Sequence, residues 1–168
     1  MAFLGKLRSL FHKEESDDEM PYSIVMLFRS PCVMTQEILE AAASKAYQHP
    51  YDGSHNMYFV GWSPALTTVK AGPAFIKVLE ARRPYLGHEV AIGFRDIRLQ
   101  DAWKEHRAWA AFDLMNPGIP KKEAYRTLAA LVAELLDARC AGIFLPKENR
   151  FTMQSDGSAM RHLANLRK

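Results

Sequence analysis

Two stretches of the chain repeat one pattern of apolar and polar positions. Residues 23–28 (SIVMLF) and 108–115 (AWAAFDLM) are almost continuous apolar runs, as is typical of strands buried inside a sheet. A proline-containing turn and a helical pattern follow each run. A further apolar run follows each helical pattern, at 57–62 (MYFVGW) after the first and at 140–146 (CAGIFLP) after the second. The sequence therefore predicts strand, proline turn, helix and strand, twice over.

Both intervening helices have recognisable starts. Thr35 is a good N-cap for a helix reaching about Gln48, and Pro120 suits the first position of the other helix. The second helix is the clearest amphipathic pattern in the chain, with Ala124, Leu128, Leu131, Val132 and Leu135 at helical spacing. Two βαβ-like halves predict an α+β fold, a ferredoxin-like two-layer sandwich with its helices on one face of the sheet.

The stretch between the halves is less regular. Residues 67–72 (TTVKAG) and 74–85 (AFIKVLEARRPY) are predicted to be extended, although 74–81 would also suit one side of a short helix. Residues 87–94 (GHEVAIGF) form another possible strand, and 97–106 has helical spacing after an aspartate that can cap it.

The two ends of the chain differ from this middle part. We expect an N-terminal amphipathic helix and acidic linker at 1–20, an α+β domain at 21–150 and a tail with a short helix at 151–168. The apolar face of the N-terminal helix consists of Phe3, Leu4, Leu7, Leu10 and Phe11. With basic residues between them, residues 1–13 could dock on the domain itself, on a partner or on an anionic membrane surface.

Composition narrows the function classes. A chain of 168 residues, 48% of them hydrophobic, suits one core of ordinary size. The net charge is +3, and the first 20 residues hold three basic and five acidic side chains, which leaves +5 on the remainder. No basic run is interleaved with aromatic residues, which argues against a nucleic-acid partner. No spanning apolar stretch and no secretory signal are recognised, so the expected location is cytoplasmic, with attachment to the membrane periphery as an alternative.

Few residues suggest chemistry. Cys32 and Cys140 lie outside any disulfide or zinc spacing, and no cofactor motif occurs, so neither a metal nor a cofactor is expected. Cys32 precedes a helix, where a thiol can be activated, but the equivalent turn at 114–123 (LMNPGIPKKE) contains no cysteine. Catalysis by Cys32, or by one of four histidines, is therefore the weaker hypothesis. These histidines are His49, His55, His88 and His106.

Tryptophan and arginine are the candidate binding residues. Tryptophan is too large to be wholly buried in most small domains, and both residue types are enriched in protein interfaces. The hypothesis is an apolar patch with a basic rim, formed by Trp62, Trp103, Trp109, Arg82, Arg83 and Arg107.

The run at 106–146, HRAWAAFDLMNPGIPKKEAYRTLAALVAELLDARCAGIFLP, resembles a segment of uncharacterised bacterial proteins. In that family a His and Trp begin a strand, an AYR-type helix follows, and a Cys/Gly strand ends in proline. The resemblance implies an α/β domain of unknown function and no mechanism. Our first hypothesis is a non-catalytic domain that binds another protein or forms a homodimer. The alternatives are an enzyme of unrecognised type and a peripheral membrane protein.

Overall fold

The computed structural model describes residues 20–63 and 66–168. They form a mixed α+β domain, which confirms the predicted class. The strands are β1 Tyr22–Phe28, β2 Tyr58–Gly61, β3 Thr67–Ala71, β4 Ala74–Ala81, β5 Ala108–Leu114, β6 Cys140–Leu145 and β7 Arg150–Met153. The α-helices are α1 Gln36–Tyr47, α2 Ile97–Glu105, α3 Lys121–Leu135 and α4 Ser158–Leu166, and short 3₁₀ helices occupy His88–Gly93 and Pro146–Glu148.

All seven strands join one antiparallel sheet in the order β2-β3-β4-β5-β1-β6-β7. Strand β1 pairs with both β5 and β6, and six of its seven residues are buried, which accounts for its continuous apolar sequence. β5 and β6 therefore run parallel to each other with β1 between them, and α3 connects them. The register of β1 and β5 places Ile24 opposite Phe112.

Apolar layers cover both faces of the sheet. On the first face, α1, α3 and α4 bury a core that contains Leu39, Leu128 and Leu163. On part of the second face, α2 and the preceding 3₁₀ helix bury a smaller core around Trp103 and Phe144. The two-layer arrangement is therefore not confirmed, because residues 85–106 add a third layer. The predicted N-terminal helix lies outside the described residues.

Local signals in the sequence located most of these elements. The side chain of Thr35 accepts a hydrogen bond from the Ile38 amide at the start of α1, and Asp96 accepts one from Arg98 at the start of α2. Residues 74–81 form a strand, the first of their two alternatives. The prediction of a strand at 87–94 is wrong, because His88–Gly93 form a 3₁₀ helix. The consecutive residues Val90 and Ala91 are both buried, which a 3₁₀ turn permits and an exposed strand with alternating faces does not.

The C-terminal segment is integrated into this fold. Strand β7, which the sequence reading missed, pairs with β6, and α4 buries Ala159 and Leu163 in the first core. Gly142 in β6 allows this close pairing, since a Cβ atom there would lie 2.5 Å from the Phe151 ring and from the Thr152 carbonyl oxygen. Residues 151–168 therefore complete the sheet and the core.

Candidate functional site

The corner between β1 and α1 holds the cysteine that the sequence singled out. Cys32 is only 9% exposed, and the neighbouring Met34 amide donates a 2.8 Å hydrogen bond to Glu80 Oε2 on β4. Arg139 is close enough to the thiol to act on it electrostatically, and it forms a 2.5 Å ion pair with Asp137. The loop is thus fixed by side chains from β4 and from the segment before β6.

This setting disfavours a thiolate at Cys32. Burial raises the pKa of the thiol, and the nearby carboxylates of Asp137 and Glu80 raise it further, while Arg139 opposes them. The net direction is upward, so the group is less nucleophilic at neutral pH than a free thiol. The position before a helix does not by itself activate Cys32.

Two of the candidate histidines pack on one tyrosine. The His49 ring stacks on Tyr58 at a centroid distance of 3.7 Å, and His55 approaches the same ring edge-on at 5.3 Å. The two imidazole centroids are 6.4 Å apart. Within residues 20–63 and 66–168, no group of three His, Cys, Asp or Glu residues is placed to hold a metal ion.

His106 is a structural residue in the second core. Its Nε2 atom accepts a 3.0 Å hydrogen bond from the Tyr85 amide, and its Nδ1 atom contacts the Trp103 carbonyl oxygen. A neutral ring protonated at Nδ1 satisfies both contacts. His88 begins the 3₁₀ helix.

The six predicted binding residues do not form one surface. Trp103 is fully buried in the second core, where its ring meets Phe144 edge-on at 5.5 Å. Trp62 is 51% exposed after edge strand β2, and three strand spacings, about 14 Å, separate β2 from the Trp109 strand.

Four of the six residues lie at one end of the sheet. Half-buried Trp109 is paired with Ala81 at the end of β4, and the exposed Arg82 and Arg83 follow directly. Exposed Arg107 precedes β5 at the same end, where its amide donates to the Phe28 carbonyl. Trp109 with its three arginines remains a predicted surface.

A cleft of about 450 Å³ opens at the other end of the sheet, between α1, α3 and the β3–β4 turn. Two of its polar side chains form hydrogen bonds within the protein. Tyr47 donates a 3.0 Å hydrogen bond to the Thr127 carbonyl. The Asn116 side chain accepts a hydrogen bond from the Phe75 amide and donates one to the Pro73 carbonyl. Tyr58, Glu123 and Thr127 also line the cleft, and a few such polar groups in a concave site are what orient a small ligand.

On the second face of β2, β3 and β4 lie large side chains that none of the described helices covers. We call this surface the open face and define it by Phe59, Lys70, Phe75, Lys77 and Met115. Phe75 is 36% exposed and Met115 is 45% exposed. The register places Phe59 opposite Lys70 and Lys70 opposite Phe75, while the Met115 amide donates to the Phe75 carbonyl. The five residues thus lie close together on β2, β3, β4 and directly after β5.

The open face is apolar with two positive charges. Lys77 is cross-strand to Asp113, whereas the Lys70 ammonium makes only a long, 3.4 Å contact with the Pro73 carbonyl among the described groups. Aromatic rings that alternate with lysines suit a partner with both apolar and acidic side chains.

Sequence reasoning missed this surface although its signal was present. In β2, β3 and β4 the residues that face the first core alternate with Phe59, Lys70, Phe75 and Lys77. Phe59 on β2 and Phe75 on β4 flank Lys70 on β3, and a contiguous group of exposed apolar side chains is typical of a binding surface. The strand pairing needed to align them could not be read from the sequence.

Comparisons with protein-family models, with curated proteins and with solved structures found no match to this chain. Among the helices of the described part of the chain, none has both the length and the apolar character required to cross a membrane.

Proposed function

We propose that this chain is a non-catalytic protein-binding domain whose open face accepts a short amphipathic segment with acidic residues. The observation that carries the proposal is the position of Phe59, Phe75 and Met115 beside two lysines, on a part of the sheet face that no described helix covers. Burying such side chains would stabilise a complex through the hydrophobic effect, and the lysines would favour an acidic partner.

A symmetric homodimer through this face is less favourable. A two-fold interface brings the same patch of both copies together, so Lys70 and Lys77 would approach the lysines of the other copy. Like charges in an interface oppose association. The charge pattern therefore favours a different, acidic segment over a second open face.

We also propose that the centre of the domain is a ferredoxin-like unit. The strand order β6-β1-β5-β4, with α1 after β1 and α3 between β5 and β6, supports this assignment. The β2–β3 hairpin, β7 and the layer on the second face would then be additions to that unit. In this interpretation the open face is largely carried by the added hairpin and β4.

The buried thiol and the loop histidines give the enzyme hypothesis less support. Cys32 has a raised pKa, His106 is engaged on both ring nitrogens, and His49 and His55 stack on Tyr58. Binding is therefore the better-supported function, while attachment to a membrane surface through residues 1–13 is tested separately below.

The test uses the full chain with Leu7→Asp/Leu10→Asp, so that its own N-terminal residues cannot compete. A fluorescent peptide with the sequence of residues 1–19 serves as the amphipathic, acidic probe, and a scrambled peptide is the control. We expect saturable binding that weakens at least tenfold when Phe59→Thr/Phe75→Thr is added. Threonine retains a high strand propensity, so the sheet should be preserved.

Ile92→Thr is the matched control, because Ile92 is 75% exposed and lies in the 3₁₀ helix rather than in the strands of the open face. It should leave the dissociation constant unchanged. Absence of binding, or equal binding after Phe59→Thr/Phe75→Thr, would overturn the proposal. Sedimentation of the wild-type chain with anionic vesicles, lost in Leu7→Asp/Leu10→Asp and without any peptide binding, would favour membrane attachment instead.

A further inference from the structure

We infer that residues 1–19 of the same chain occupy the open face, so that an external partner must displace them. The inference rests on the proposed function, because it names the resident occupant of that surface. It concerns regulation: the chain carries a competitor for its own binding site.

The composition of this segment matches the surface. Its apolar residues Phe3, Leu4, Leu7, Leu10 and Phe11 recur at helical spacing, so one side of a helix would present only apolar groups. Phe59, Phe75 and Met115 supply the complementary apolar area. Such a helix of about three turns is too short to be stable alone in water, which favours a packed position.

The acidic end of the segment complements the charges of the open face, while its basic residues Lys6, Arg8 and Lys13 lie outside the apolar side of the helical pattern. Residues 14–19 read EESDDE and carry five carboxylates, whereas the open face presents Lys70 and Lys77. This juxtaposition would neutralise part of the acidic run.

The point at which the described chain begins supports binding of residues 1–19 to the open face of the same chain. Met20 precedes β1, whose first residue Tyr22 is opposite Leu114. Met115 follows Leu114 and its amide donates to the Phe75 carbonyl, so the described chain begins at the end of the sheet where the open face lies. The segment needs no path around the domain.

The lengths also agree. From β1 to β4 is two strand spacings, about 10 Å, while the six residues 14–19 can span up to about 20 Å when extended. A helix over residues 3–13 would be about 17 Å long, comparable to the roughly 14 Å from β5 to β2. The linker can therefore deliver the helix onto the face.

The test places a nitroxide label on Ser9→Cys in the full, ¹⁵N-labelled chain and measures the broadening of backbone amide signals. Wild-type chain treated with the same reagent shows any labelling of the buried Cys32 and Cys140. We expect strong broadening at Phe59, Lys70 and Phe75, and little in α4, which lies on the first face.

Charge reversal provides the specific control. Lys70→Glu/Lys77→Glu should reduce the broadening at the open face, and adding Asp17→Lys/Asp18→Lys/Glu19→Lys to the same chain should restore it. Weak, uniform broadening would overturn the inference. So would equal broadening in a mixture of labelled ¹⁴N chains and unlabelled ¹⁵N chains, because the segment would then occupy a second copy.

The peptide titration separates this inference from the proposed function. With a resident segment, the wild-type chain should bind the 1–19 peptide at least tenfold more weakly than the Leu7→Asp/Leu10→Asp chain, since a tethered competitor acts at a high effective concentration. Equal binding to both chains would overturn the cis position and leave the binding function standing. Binding to neither chain, with no broadening, would overturn both.

Discussion

Ser23 on β1 donates a 2.6 Å hydrogen bond from its Oγ atom to Oδ1 of Asp113 on β5. These residues are direct cross-strand partners, and Lys77 on β4 is the next residue across the sheet. Burial raises the pKa of Asp113 above its ordinary value of 3.8, although Ser23 and Lys77 both favour the charged form. The second face of the sheet thus contains a partly buried carboxyl group at the inner border of the open face.

Asp113 should make the folded protein less stable as the pH rises above about 4. A carboxyl group whose pKa is higher in the folded state retains its proton there more strongly, so stability falls between the unfolded and folded pKa values. The free energy of unfolding of Asp113→Asn, relative to that of the wild type, should therefore be higher at pH 7 than at pH 3.5. Urea unfolding at both pH values measures this difference, and a constant difference would contradict the assignment.

The Ser23 hydroxyl should stabilise the charged form of Asp113. Ser23→Ala removes a hydrogen bond to a carboxylate, and we expect a loss of about 1.5–3 kcal/mol in the free energy of unfolding at pH 7. The loss should become smaller in the Asp113→Asn background, because the carboxylate is then absent. A double-mutant cycle by urea unfolding provides the measurement.

His106 should contribute to stability. His106→Ala removes the acceptor for the Tyr85 amide and leaves a cavity beside Trp103, which we expect to cost about 2–4 kcal/mol. His55 is exposed, so His55→Ala should cost less than about 1 kcal/mol. Equal losses in chemical denaturation would contradict the structural role of His106.

Cys32 should react slowly with alkylating reagents. Its raised pKa and its burial both lower the concentration of accessible thiolate, so we expect a rate at pH 7 at least tenfold below that of a free thiol. Cys140 is fully buried, and its pKa is raised to about 12, so it should react only on unfolding. Iodoacetamide kinetics followed by mass spectrometry test both, and a fast Cys32 would revive the enzyme hypothesis.

Replacing a buried and an exposed tryptophan should change the stability of the protein by very different amounts. Trp103→Ala empties the centre of the second core and should cost about 3–5 kcal/mol. Trp62 is 51% exposed, so Trp62→Ala should change stability by less than about 1 kcal/mol. Thermal unfolding of both variants provides the comparison. Similar shifts in melting temperature would show that Trp62 is covered in solution.

Local sequence signals located elements well where a single chemical cause operates. Thr35 and Asp96 cap helices because their side-chain oxygens satisfy free amides, and continuous apolar runs became central strands because both faces of β1 are covered. Strand β7 was missed because its four residues are too short a pattern to separate from a turn.

The candidate site was harder to predict because it depends on pairing between distant segments. Phe59 and Phe75 become neighbours of Lys70 only through the register of three strands, and the burial of Trp103 depends on α2 folding over β6 and β7. The sequence by itself determined the α+β class, the helix starts and the apolar strands, since these follow from local hydrogen bonding and periodicity. Only the tertiary structure decided which face of each strand is covered, because coverage depends on long-range packing that alternation in the sequence does not specify.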